Sequence, residues 1–264
     1  MALKCVPMAA CMLVTACRPY EQPAAVLFLG DSITEAEFFA RDFELAWNNA
    51  WPGQPVRVIP RGRGGESVSG QTEPQFIGRR PQVGDRLAEE LRRFKPEWVV
   101  ACYGMNCGLF QPFETNLFHA YQTGISTVVQ QLVAHGTKVM LLTPPPFAQP
   151  GAVTSQFATL ADQVEAVIAA HAEGRSKARR DPDRYGYYSP YLYYDDVLAV
   201  YSEWLKTQSR TGLVWVVDMR NPLLTRLDET YDPGDPVHPN REGHRIMAET
   251  LMREWPGQAM GNGR

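Results

Sequence analysis

Cysteine is scarce in this 264-residue chain, and its placement excludes more than it offers. Of five cysteines, three (Cys5, Cys11 and Cys17) fall in the first seventeen residues, leaving only Cys102 and Cys107 for the rest. With no Cys-x-x-Cys pair and no His/Cys cluster at zinc spacing, neither a disulfide framework nor a structural metal site is implied. An excess of charge is missing too. A formal net charge of −3 and a pI near 6.0 leave no basic footprint for nucleic acid or an anionic membrane surface. The 21 prolines and 21 glycines are scattered rather than clustered, and no internal repeat is visible.

What is present divides unevenly. Lys4 precedes a weakly apolar run from Cys5 to Ala16, too short to span a bilayer. It has the shape of a secretory signal, and Val14-Thr15-Ala16-Cys17 resembles a bacterial lipobox, whose cysteine is lipidated after cleavage. The expectation is a leader over residues 1–17, a linker over 18–23, one domain over 24–256 and a tail over 257–264. Export, with possible membrane attachment through a lipidated Cys17, follows from the lipobox; a cytoplasmic chain is the alternative. At 44% hydrophobic and 21% charged residues, the whole chain has the composition of a globular protein with one core.

That body opens on Ala24 to Leu29, a continuous apolar run that ends abruptly in Gly30-Asp31-Ser32. Such a run suits a central parallel strand buried on both faces, and Asp31 and Ser32 fall where a helix begins. Further strands are predicted at Val56–Ile59, Glu97–Tyr103, Lys138–Thr143 and Gly212–Asp218. Helical spacing of apolar residues predicts helices over Glu37–Ala50, Arg79–Lys95, Phe113–Ala134, Thr154–Ala172 and Tyr194–Thr207. A last helix is capped by Asn240, and Glu173–Arg184 reads as a polar stretch. Strands alternating with helices predict an α/β fold: a flavodoxin-like three-layer sandwich on a five-stranded parallel sheet, order 2-1-3-4-5.

That topology gathers the strand ends along one edge. Ser32 follows strand 1, Gly65 follows strand 2 and Asn106 follows strand 3, while Asp235 and His238 precede the last helix. A serine hydroxyl needs a base to take its proton, and an imidazole is suited to that task. A carboxylate three residues before the histidine reaches its other nitrogen within one turn. Backbone N–H groups of Ser32 and Gly65, with the Asn106 amide, are candidate donors to an oxyanion.

Taken together, these blocks resemble the SGNH, or GDSL-type, hydrolases. Gly30-Asp31-Ser32-Ile33 is similar to the family's first block, Gly65 to the second-block glycine, Gly104-Met105-Asn106 to the third, and Asp235-Pro236-Val237-His238 to the Asp-x-x-His block. The resemblance implies ester hydrolysis without a cofactor: Ser32 as nucleophile, His238 as base, Asp235 as its orienting carboxylate, and an oxyanion hole from Ser32, Gly65 and Asn106. An acetyl ester on carbohydrate is the leading substrate expectation on that analogy, ahead of lipid or small acyl esters. A catalytically silent glycan- or partner-binding protein on the same scaffold is the alternative. One departure stands out, since the family's third block usually continues into Asp where this chain has Cys107. A small residue tolerated in a turn is the preferred reading of Cys107, because nothing nearby lowers a thiol pKa. The tyrosines from Tyr185 to Tyr194 either line a cleft or pack an insertion onto the sheet. His119, His135, His171 and His244 read as surface or helix residues.

Overall fold

A computed structural model describes residues 23–153 and 156–256. The predicted leader with Cys17, most of the linker and the tail lie outside the described residues. The sheet holds five parallel strands in the order β2-β1-β3-β4-β5. They are β1 (Ala24–Gly30), β2 (Val56–Gly62), β3 (Trp98–Cys102), β4 (Lys138–Leu142) and β5 (Val214–Val217). Val26 to Leu29 and Trp98 to Cys102 are buried throughout, as continuous apolar runs at the centre of a parallel sheet require.

After β1 come a single turn, α1 (Ser32–Glu35), and α2 (Phe38–Ala50); α3 (Leu87–Phe94) precedes β3. The helices α4 (Thr115–Ala134), α5 (Leu160–Ala170), α6 (Ala172–Arg180) and α7 (Tyr194–Lys206) follow in the next two crossovers. Beyond β5 lie α8 (Arg220–Leu224), α9 (Leu227–Thr230) and α10 (Arg241–Glu254). Strand order reverses direction between β2 and β3, so right-handed crossovers send α2 and α4 to opposite faces. On one face Phe28, Phe39, Phe43 and Trp255 form an aromatic layer between β1, α2 and α10. On the other, the rings of Tyr121 (α4) and Tyr201 (α7) stack at 4.4 Å. Asn240 caps α10 as predicted, its side chain accepting from the N–H groups of Glu242 and Gly243.

Several expectations need correction. The predicted helix over Arg79–Lys95 begins only at Leu87, because residues 80–83 run beside Ser67 instead. Ser67 donates to the Pro81 carbonyl, and Val83 donates to the Ser67 carbonyl, so these backbone groups are spent outside any helix. The polar stretch Glu173–Arg184 is helical as far as Arg180 (α6), and the helix predicted from Thr154 begins at Leu160. His171, at the α5–α6 junction, is fully buried: its Nδ1 accepts from the Phe113 N–H, which directs its Nε2–H to Asp196 at 2.9 Å. His244 is buried as well, on α10.

Candidate active site

The site grows from the end of β1. Gly30 is held tightly between neighbours: a Cβ there would meet Thr34 at 2.1 Å and the Cys102 carbonyl at 2.8 Å. The strand can therefore turn sharply into α1 only with glycine at this point. Asp31 caps α1 by accepting from the Ile33 N–H at 3.1 Å, and Ser32 opens the helix. As its first residue, Ser32 has no intrahelical acceptor for its own N–H.

Asp235-Pro236-Val237-His238 lies in the loop between α9 and α10. Asp235 Oδ1 accepts from the N–H groups of Val237 (3.0 Å) and His238 (3.1 Å), so the carboxylate organises the turn that carries the imidazole. His238 Nδ1 lies 2.9 Å from Asp235 Oδ2, and His238 Nε2 lies 2.9 Å from Ser32 Oγ. Partial burial pushes the Asp235 carboxyl up, but hydrogen bonds from His238 and Val237 outweigh that and hold it below the ordinary carboxylate range. The three residues predicted from sequence, 206 positions apart at the extremes, thus meet in one hydrogen-bonded line.

Gly65 sits at φ +71°, in the left-handed region, and a Cβ there would come within 3.3 Å of an Arg80 guanidinium nitrogen. Among the described residues its N–H meets no main-chain acceptor. The next residue, Glu66, is fully buried and anchors the loop: Arg86 pairs with both its oxygens at 2.6–2.7 Å and Tyr103 donates to it at 2.7 Å.

Asn106 is also brought to the site, with a difference from the simplest expectation. Its Nδ2 already donates to Asp31 Oδ2 (3.2 Å) and to the Glu66 carbonyl (3.3 Å). Both contacts are at the long end of the hydrogen-bond range, and one must be exchanged for a developing oxyanion to be served. Asp31, buried beside this amide, has its carboxyl pushed up to about 6 by desolvation.

Cys107 is sealed in the interior. Burial pushes its thiol up to about 12, even with the Val68 and Ser69 N–H groups directed at the sulfur. That is the environment of an inert packing residue, as preferred from sequence. The tyrosine run divides its labour. Tyr194 is fully buried and its hydroxyl donates to the Met105 carbonyl at 2.7 Å, while Tyr191 packs edge-on to His171. Burial first, and then the charge of Asp235, raises the Tyr187 hydroxyl; its ring meets Phe110 edge-on at 5.5 Å, and the adjoining Tyr188 is 85% exposed.

Sequence reasoning missed Arg80. It is 1% exposed, paired with Glu73, and its Nη1 donates to both the Gly65 carbonyl (3.1 Å) and Asn106 Oδ1 (2.9 Å). The signal available was the pair of glycines, Gly70 and Gly78, that lets residues 70–80 fold back on themselves; both have positive φ.

A five-stranded parallel sheet with Ser32, Asp235 and His238 at its carboxyl edge defines an α/β protein of the SGNH type. The chain belongs to the GDSL-like lipase/acylhydrolase family, which matches residues 28–179, and it is accordingly a hydrolase by family. The matched span carries Ser32, Gly65 and Asn106, and the fold delivers Asp235 and His238 to it from beyond its end. No curated protein matches the chain. Among solved structures it is similar to the acetylxylan esterase Axe2 from Geobacillus stearothermophilus. That pair is 19% identical with a TM-score of 0.54, over 87% of this chain and 93% of the other. A Bacteroides fragilis NCTC 9343 protein, provisionally assigned as an acylhydrolase, is 20% identical with a TM-score of 0.54 over 88% of each chain. At such identities the likeness is one of fold.

Proposed function

We propose that the protein is a serine esterase that hydrolyses a carboxylic ester through an acyl-enzyme. The observation that carries this reading is the continuous line from Ser32 Oγ to His238 Nε2 and from His238 Nδ1 to Asp235, each step 2.9 Å. His238 takes the Ser32 proton as Oγ attacks the ester carbonyl, and Asp235 holds the imidazole in the tautomer whose Nε2 is free to accept. The tetrahedral oxyanion draws on the N–H groups of Ser32 and Gly65 and on the Asn106 amide. Collapse expels the alcohol, which receives its proton from His238. Water, deprotonated by the same imidazole, then attacks the acyl-enzyme and releases the acid, returning the proton to Ser32 Oγ.

An acetyl ester on carbohydrate is the substrate class we favour. In support, the similar Geobacillus structure is an acetylxylan esterase. Tyr187 and Tyr188, whose rings meet edge-on at 5.2 Å, also offer exposed aromatic surface, with Tyr187 in the field of Asp235, suited to a ligand with both apolar and hydroxylated faces. The test is hydrolysis of p-nitrophenyl acetate and acetyl-xylan, with fluorophosphonate labelling of the active serine. Ser32→Ala should lose labelling and lower kcat by about 10⁴-fold or more. Retention of a tenth of the wild-type rate would refute the assignment of Ser32.

A further inference from the structure

We infer that Arg80 is the positioning residue of the oxyanion hole, acting through Gly65 and Asn106 rather than on the substrate. The inference rests on the serine-esterase reading and extends it to a residue outside the Ser32–His238–Asp235 line.

The geometry is specific to a guanidinium. One nitrogen, Nη1, spends its two N–H groups on the Asn106 Oδ1 at 2.9 Å and the Gly65 carbonyl at 3.1 Å. The other edge, Nε and Nη2, faces both oxygens of Glu73, with Nε to Oε2 at 2.6 Å. Two aromatic rings lie within cation–π range of the guanidinium, with Cζ 4.7 Å from the Phe76 centroid and 5.7 Å from that of Phe110. The Arg80 main chain is tied down too, its N–H donating to Thr72 Oγ1 at 3.0 Å.

Two consequences follow from donor chemistry. Arginine carries no acceptor, so the end of the Asn106 amide that faces it must be the oxygen. That agrees with Nδ2 facing the Asp31 carboxylate and the Glu66 carbonyl, and it keeps the donor end of the amide available for exchange onto an oxyanion. A water at this place, which both donates and accepts, would not impose that choice. The grip on the Gly65 carbonyl sets the second donor, since it holds a residue at φ +71° whose N–H meets no main-chain acceptor among the described residues. Stability gives no comparable reason for the pair. Arg80 and Glu73 side chains are each 1% exposed, and a buried ion pair of this kind is often replaceable by apolar residues without loss of stability.

The experiment removes the charge pair as a unit. Arg80→Leu combined with Glu73→Leu leaves no uncompensated charge, and thermal unfolding reports whether the fold is kept. On p-nitrophenyl acetate, kcat should fall about 10–100-fold with KM nearly unchanged, less than the roughly 10²–10³-fold expected for losing a donor itself. Built on Asn106→Ala, the same pair of changes should add almost nothing, because its effect passes through the missing amide. If the apolar pair does not fold, Arg80→Lys carries the test. It keeps the charge, but one ammonium nitrogen cannot stand both where Nε and Nη2 grip Glu73 and where Nη1 grips the two oxygens, so it should lower kcat, hold KM and lose its effect on the Asn106→Ala background. A folded variant with kcat within about threefold of wild type, or a loss confined to KM, would overturn the inference. So would full additivity with Asn106→Ala, which marks a merely structural role. Ser32→Ala is measured alongside. If Ser32→Ala stays active, the esterase reading itself has failed and this inference falls with it; if it is dead while the Arg80 variants are normal, only the role of Arg80 is refuted.

Discussion

Two buried titratable groups should give this protein opposing responses to acid. His244 lies on α10 between the rings of Phe38 and Phe39, at centroid distances of 5.4 and 5.9 Å, and is 3% exposed. Its Nδ1 has no hydrogen-bond partner among the described residues. Burial first, then Arg241 and His238, outweigh Asp42 and push its pKa down to about 4. An unfolded histidine titrates near 6.5, so between pH 6.5 and 4 the unfolded state binds the proton and the folded state does not. Folding stability therefore falls across that window, by about 3 kcal/mol for a shift of this size. Asp31 works the other way. Its pKa is raised to about 6, so from pH 6 down to 3.8 the folded state binds the extra proton, and stability rises by about 3 kcal/mol on acidification. The two contributions offset each other from roughly pH 6 to pH 4. His244→Leu, which forfeits no hydrogen bond at Nδ1, should unmask the Asp31 response. Urea unfolding followed by tryptophan fluorescence across this range gives the difference in stability between variant and wild type at each pH. That difference should shift in favour of the variant as pH drops below 6.5, and Asp31→Asn should show the reverse slope below pH 6. A His244→Leu curve parallel to wild type from pH 6.5 to 4 would refute the burial argument.

The remaining expectations concern the reacting groups. Combining Ser32→Ala with His238→Ala should be little worse than either change alone in kcat, because the two act as one unit. Asp235→Asn should lower kcat by about 10²–10⁴-fold with the fold intact, since an amide oxygen can still accept from the Val237 and His238 N–H groups while the orienting charge is gone. Cys107→Ser should stay within about tenfold of wild type in kcat, a barrier change of roughly 1.4 kcal/mol or less. Iodoacetamide should leave the native enzyme's rate unchanged, as a buried thiol held near 12 offers almost no thiolate.

The sheet was legible because its signal is local. Ala24 to Leu29, Trp98 to Cys102 and Lys138 to Leu142 are short apolar runs closed by glycine or proline, and each is a strand of the predicted sheet. Ser32, Gly65, Asn106, Asp235 and His238 could be read for a similar reason, since each sits at a strand end or in a short turn motif that the topology gathers. Arg80 was not legible. In the sequence it belongs to a charged segment whose apolar residues recur at helical spacing, and charge at such spacing reads as a solvated helix face. Its partner Glu73 is seven positions earlier, outside the three- or four-residue spacing that marks a helical ion pair. On the same ground His171 read as a surface or helix residue and Arg220 was not singled out: their carboxylate partners, Asp196 and Asp195, are each 25 positions away. Periodicity reports which face of an element is buried. It carries no information on a polar side chain that turns inward to meet a distant loop.

The loop from Gly65 to Ser67 is held by buried charge on both sides, and the two clamps differ in what they grip. Arg86 and Tyr103 bind the Glu66 side chain, so they fix where the loop sits. Arg80 binds the Gly65 carbonyl and the Asn106 oxygen, so it fixes how two peptide-type dipoles are aimed. Location alone can be supplied by apolar packing, which tolerates substitution at similar volume. Aim cannot, because an amide of nearly symmetric shape packs equally well in either orientation and only a donor or acceptor tells its ends apart. A transition state that differs from the ground state by charge on one oxygen rewards aim more than location. The fully buried guanidinium therefore belongs with the chemistry of the site, and the apolar residues around it with the stability of the fold.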